Sequence, residues 1–102
     1  MLYATGQTIY DTILSLNVSN DPITGATFDV EVFQDGFVSS GITVTMTIAD
    51  ESRGIFTSSW SASTIGNYQV YYKNQITNII YMSDIFQVTA QGNAPTNIFV
   101  GL

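Results

Sequence analysis

Carboxylates are the main groups of this chain that could perform acid–base chemistry, and two of the eight share one predicted strand. Asp29 and Glu31 lie two positions apart in the run FDVEVFQ, in which apolar and polar residues alternate. On a β-strand this spacing places both side chains on one face. Paired carboxylates can act as general acid and base or bind a hard cation such as Ca²⁺. The alternative, which we favour, is a solvated face whose like charges discourage pairing with other strands.

Other residue types on which enzymes depend are missing from the sequence. Its 102 residues include no Cys and no His. The chain therefore has no thiol nucleophile, no imidazole base, and no thiolate or imidazole metal ligand. Five of the other acidic residues lie in predicted turns or at a strand irregularity, without the regular spacing of a calcium-binding loop. We predict that the protein is not an enzyme and that it has no cofactor and no metal site.

The charge balance limits the kinds of partner. Two basic residues, Arg53 and Lys73, accompany eight acidic ones, and the net charge is −6. Nucleic-acid binding requires clustered lysine and arginine, and an anionic membrane surface attracts the same residues. The opening MLYATG has neither the basic nor the apolar region of a secretory signal, and no run approaches the ~20 apolar residues of a membrane helix. We expect a protein made in the cytoplasm that binds neither nucleic acid nor membrane.

Apolar residues recur at every second position, which is the period of β-strands. Turn-forming residues separate the alternating runs, which cover residues 7–19, 26–34, 42–49, 55–61, 67–73 and 78–90. The last run changes phase near Ser83 and Asp84, where we expect a β-bulge. Short strands at this spacing, without a helical period, predict a single all-β domain: an antiparallel sandwich of about seven strands over residues 7–90.

The predicted core comes from the inner phase of these strands. Trp60 shares its phase with Phe56, and Tyr68 shares its phase with Tyr72. Tyr68 follows a Gly-Asn pair and is expected to form a tyrosine corner, in which the phenol bonds the backbone a few residues upstream. The first run has apolar residues in both phases, which suggests that it changes partner sheets midway.

Both ends of the sequence are apolar. Residues 1–6 are a predicted N-terminal arm, and residues 91–102 are a predicted C-terminal arm. The second arm consists of the spacer QGNAPTN followed by what we call the apolar segment, Ile98, Phe99, Val100, Gly101 and Leu102. Each large side chain in it would contribute about 1.5–3 kcal/mol if fully buried. We expect this segment to anchor on its own domain or, by strand addition, on a neighbouring subunit.

Short motifs along the chain carry a resemblance. They are DPITG at 21–25, FDVEVFQDG at 28–36, TVT at 43–45, GIFT at 54–57 leading to Trp60, and GNYQV at 66–70. Together, over residues 7–90, they resemble the small immunoglobulin-like sandwiches of bacteriophage virion proteins and some bacterial surface proteins. The resemblance implies an immunoglobulin-like fold and a non-enzymatic structural role in the virion, as a capsid decoration or a neck or tail accessory subunit.

The expected partners are other virion proteins, further copies of this chain as a homo-oligomer, or both. Candidate interaction residues are two aromatics of outward phase and the apolar residues of the arms: Phe33, Tyr71, Leu2, Tyr3, Ile98, Phe99, Val100 and Leu102. Exposed aromatics beside amides and carboxylates also suit sugar stacking. The alternative function is therefore a carbohydrate- or cell-surface-binding module.

Overall fold

The computed structural model describes residues 2–17, 19–23 and 25–90. Two β-sheets enclose one hydrophobic core, which confirms the predicted all-β sandwich. A 3₁₀ turn at Glu51–Arg53 accompanies the strands, and no helix of the described part has the length and apolarity to cross a membrane. The strands of this part are β1 (Leu2–Ala4), β2 (Ile9–Leu14), β3 (Phe28–Gln34), β4 (Val38–Ser39), β5 (Thr45–Asp50), β6 (Ile55–Trp60), β7 (Gly66–Asn74), β8 (Ile80–Met82) and β9 (Phe86–Thr89).

The larger sheet is organised around β7. Its strand order is β1-β9-β7-β3-β4, and β8 also pairs with β7. One edge of β7 pairs with all of β3, while its other edge pairs first with β9 and then with β8. Between those two strands the Ser83 hydroxyl accepts a hydrogen bond from the Val70 N–H at 2.8 Å. A side chain thus replaces a ladder acceptor, and the run predicted as one strand with a β-bulge is divided into the two strands β8 and β9.

The smaller sheet, with the order β2-β6-β5, decides which face of the first run is buried. Ile9 lies opposite Trp60 in the antiparallel register, and Ile13 lies opposite Phe56. Side chains of directly opposed residues share one face of a sheet. Ile9 and Ile13 are therefore buried together with the two aromatic residues, and Tyr10 is exposed.

Aromatic packing joins the two sheets. The Trp60 ring from β6 lies 5.6 Å from the Tyr68 ring of β7 and 5.7 Å from the Phe86 ring of β9. Tyr68 also donates a 2.7 Å hydrogen bond to the Thr64 carbonyl, which confirms the predicted tyrosine corner. The Trp60 indole N–H, although buried, has no hydrogen-bond partner among the described residues. Packing and π-interactions therefore hold this tryptophan in place.

The predicted N-terminal arm contributes a strand. Residues Leu2–Ala4 form β1, which pairs in parallel with β9, so that Tyr3 lies opposite Val88. Parallel pairing at this edge carries the chain from the larger sheet to the start of β2 in the smaller one. The predicted C-terminal arm, residues 91–102, lies outside the described residues.

A close approach after the 3₁₀ turn constrains the sequence at Gly54. Gly54 has φ 67°, and its carbonyl accepts a 2.7 Å hydrogen bond from the Ser15 N–H. A β-carbon at this position would overlap the Ser15 carbonyl oxygen. Gly25 has a similar φ of 68°, but nothing lies within 4 Å of its β-carbon position.

We expect Gly54→Ala to lower the free energy of unfolding by about 2–4 kcal/mol, because left-handed strain and overlap add. Gly25→Ala should cost about 1 kcal/mol, because only the strain applies. Urea denaturation of both variants measures the difference. Equal losses would show that the contact with Ser15 relaxes freely.

Candidate interaction surface

The outer face of the larger sheet carries a cluster of aromatic side chains. Val32 of β3 and Val70 and Tyr72 of β7 are buried, so the alternate residues Phe33 and Tyr71 point away from the core. The rings of Phe33 and Tyr71 lie 6.3 Å apart, at an edge-to-face angle of 72°. The structure thus brings together the two outward aromatics that the sequence singled out.

A third aromatic residue, Phe37, completes the cluster. Its ring lies 5.6 Å from the Phe33 ring, and its side chain is 80% exposed. We call Phe33, Phe37 and Tyr71 the outer aromatic patch. Phe37 is exposed, whereas Phe33 and Tyr71 are half-buried.

The turn between β3 and β4 determines the position of Phe37. Asp35 has φ 49° and Gly36 has φ 102°, so the chain reverses within three residues and the next side chain projects outward. The Asp35 N–H donates to the Asn67 carbonyl at 2.7 Å, and the Asn67 N–H donates to the Asp35 carboxylate at 3.0 Å. These two bonds attach the turn to the start of β7. Phe37 is therefore held in place while most of its ring remains in solvent.

Further apolar side chains extend the patch toward β8. Met82 pairs with Tyr71 in the register of the sheet, and Ile80 pairs with Lys73. Both are exposed, as is Ile85 beside Phe37. The apolar surface therefore crosses the sheet from the β3–β4 turn to the opposite edge.

The carboxylate pair lies beside this surface. A cleft of about 330 Å³ is lined by Asp29, Glu31, Ser39 and Tyr71, among others. The Asp29 carboxylate accepts a 2.6 Å hydrogen bond from the Gln75 amide. In the part of the chain that the structure describes, no three acidic side chains come close enough to hold a metal ion. The cleft can therefore offer hydrogen-bond acceptors next to an aromatic ring.

The other predicted interaction residues lie elsewhere. Tyr3 packs against the core, with its ring 5.8 Å from that of Phe86. Leu2 pairs with Gln87 in β1, three strands away from Phe33 in the order of the sheet. The four predicted residues of the apolar segment, Ile98, Phe99, Val100 and Leu102, are outside the described residues.

The sequence analysis did not select Phe37. Its signal was a large apolar residue directly after Asp35-Gly36, in a turn where small or polar residues are usual. The hydrogen bonds that fix the turn connect residues more than 30 positions apart. Local pattern alone could not show that the ring contacts Phe33 edge-to-face.

A buried hydroxyl network lies on the inner side of the same sheet. The Tyr72 phenol is 2.6 Å from the Ser58 hydroxyl, and it donates a 3.2 Å hydrogen bond to the Asp11 carboxylate. Burial raises the pKa of Tyr72 well above its ordinary value near 10, and the charge of Asp11 adds to this increase. Folding therefore holds the phenol in its neutral form.

Comparison with known proteins adds no relative to these observations. No family model matches the chain, and neither a curated protein nor a solved structure matches it. Its function must be inferred from its own surface chemistry.

The raised pKa of Tyr72 predicts a loss of stability in alkali. Above pH about 10 the unfolded chain releases the phenolic proton while the folded protein retains it. The free energy of unfolding should therefore fall as the pH rises, by up to about 1.4 kcal/mol per pH unit from this residue. Tyr72→Phe should reduce that slope, and it should cost about 1–2 kcal/mol at pH 7 because Ser58 loses its partner.

Urea denaturation between pH 7 and pH 11 tests this expectation. Tyr10→Phe is the matched control for removal of a phenol hydroxyl, because Tyr10 is 70% exposed. An alkaline slope that persists in full in Tyr72→Phe would contradict the assignment.

Proposed function

We propose that this protein is a non-enzymatic assembly subunit that docks onto other proteins through the outer aromatic patch. The observation that carries this proposal is Phe37, which is 80% exposed yet held by a hydrogen-bonded turn and by an edge-to-face contact with Phe33. An aromatic ring that is already ordered loses little conformational entropy when a partner covers it. Burial of that ring would contribute about 1.5–3 kcal/mol, as in the aromatic anchors of protein interfaces.

We further propose that the partner belongs to a bacteriophage virion, with this chain as a capsid decoration or a neck or tail accessory subunit. Support comes from the resemblance of the motifs between residues 7 and 90 to immunoglobulin-like domains of such particles. The net charge of −6 suits contact with protein rather than with the packaged genome. Another virion protein or a further copy of this chain would supply the opposing surface.

Substitution of Phe37 tests the docking proposal. Phe37→Ser should weaken binding to virion particles assembled without this protein about tenfold or more, because the buried area of one aromatic anchor is lost. The free energy of unfolding should change by less than about 0.5 kcal/mol, since the ring is exposed. Co-sedimentation with the particles measures the binding.

Tyr10→Ser provides the control for this experiment. Tyr10 is 70% exposed and lies in β2 of the smaller sheet, away from the patch. It should bind particles like the unaltered chain. Equal binding by Phe37→Ser and the unaltered chain would reject the patch as the docking surface.

A second function, glycan binding, is favoured by one observation, the cleft between the aromatic patch and the carboxylates. Sugar rings stack on aromatic faces while their hydroxyls donate to carboxylates, and the cleft offers Tyr71 beside Asp29 and Glu31. Under this proposal a glycan array should yield ligands whose signal falls about tenfold or more in Glu31→Gln and persists in Phe37→Ser. An array without any ligand would eliminate this function.

A further inference from the structure

A groove opens at the side of the sandwich where the two sheets end. Strand β2 is an edge of the smaller sheet, and β8 lies at an edge of the larger one. Between them is a groove of about 300 Å³, lined chiefly by Ile13, Leu14, Tyr72, Tyr81 and Met82. Neither strand edge has a strand partner on this side among the described residues. The groove therefore combines apolar walls with two strand edges to which a further strand could be added.

The charged group of the groove, the Asp11 carboxylate, is already hydrogen-bonded within the protein. One carboxylate oxygen of Asp11 accepts from the Tyr72 phenol, and the other accepts from the Thr12 N–H at 3.0 Å. We expect a partner of the groove to be recognised chiefly by the backbone of the edge strands and by apolar contact. An extended, uncharged peptide with apolar residues at alternate positions matches this chemistry.

The apolar segment of this chain has that pattern. Ile98, Val100 and Leu102 alternate with Phe99 and Gly101, and no residue from 91 to 102 has a charged side chain. In an added strand the first three side chains would enter the groove, while the other two would face outward.

The direction of β9 favours a groove on another copy of the chain. Strand β9 continues along β7 away from β8, and β1 covers its free edge. To enter the groove of its own copy, the chain after Thr89 would have to pass around β1, reverse direction and return about 20 Å to the level of Ser83. Ala90 and the seven spacer residues 91–97 span at most about 29 Å when fully extended. They leave about 9 Å for passing around β1 and reversing, whereas a second copy requires no reversal.

We propose that the apolar segment of one copy binds, as an added strand, in the groove between β2 and β8 of a second copy. The proposal rests on the assembly role inferred above and supplies one of its contacts. Because the segment and the groove are different surfaces, each copy can donate one and receive the other, which generates rings or chains.

Cross-linking tests the proposal cleanly, because the full chain has no cysteine. One batch carries Gly101→Cys, at an outward position of the segment, and the other carries Thr12→Cys, at the exposed rim of β2. Mixed and treated with a short bismaleimide, the two should give covalent heterodimers, resolved by mass spectrometry. Adding Val100→Asp to the donor should reduce their yield about tenfold or more, because a charge would enter an apolar groove.

Thr45→Cys is the matched control for the receiving copy, because it places the same change on β5, at the opposite edge of the same sheet. It should give little heterodimer. Equal yields from Thr12→Cys and Thr45→Cys, or none from either, would overturn the proposal. A further variant carries both Thr12→Cys and Gly101→Cys in one chain. Cross-links found only within monomers of this variant would also overturn the proposal, because the segment would then occupy its own groove. None of these results depends on Phe37, so failure here is distinguishable from failure of the docking patch.

Discussion

The packing of β6 against β7 is the contact on which the rest of the structure depends. Each strand is central to its sheet, and each presents alternate residues to the other. Trp60 contacts the Tyr68 ring at one end, and Ser58 lies 2.6 Å from the Tyr72 phenol further along. An aromatic contact and a hydrogen bond thus hold the sheets in one relative position. A register shift of either strand by one residue would turn the side chains that form them toward solvent.

The outer surface is a consequence of that inner contact. Because Tyr68, Val70 and Tyr72 are committed to the core, the pleat directs Tyr71 outward, where Phe33 of the neighbouring strand meets it. At one side of the sandwich, the edge strands of the two sheets leave the space between them open. The two sheets end at β2 and β8, so the proposed strand-binding groove opens beside the outer face that carries the docking patch, and Met82 borders both.

Buried polar contacts add directional constraints to this hydrophobic core. The Asn74 amide donates a 2.9 Å hydrogen bond to the buried Ser15 hydroxyl, and its oxygen accepts from the N–H groups of Ile76 and Thr77. One side chain thus links the end of β7 to the chain that follows β2 and also shapes the next turn. Such bonds are costly to leave unmade, so they exclude alternative packings more strongly than apolar contacts do.

The amino-acid sequence alone determined the all-β class, the inner phases of β6 and β7, and the outward direction of Phe33 and Tyr71. It could do so because side chains alternate strictly along a strand. Only the tertiary structure decided that Ile9 rather than Tyr10 is buried, that β1 joins β9, and that Phe37 completes the aromatic patch. Those outcomes depend on register and on contacts between residues distant in the chain, which a local pattern does not encode.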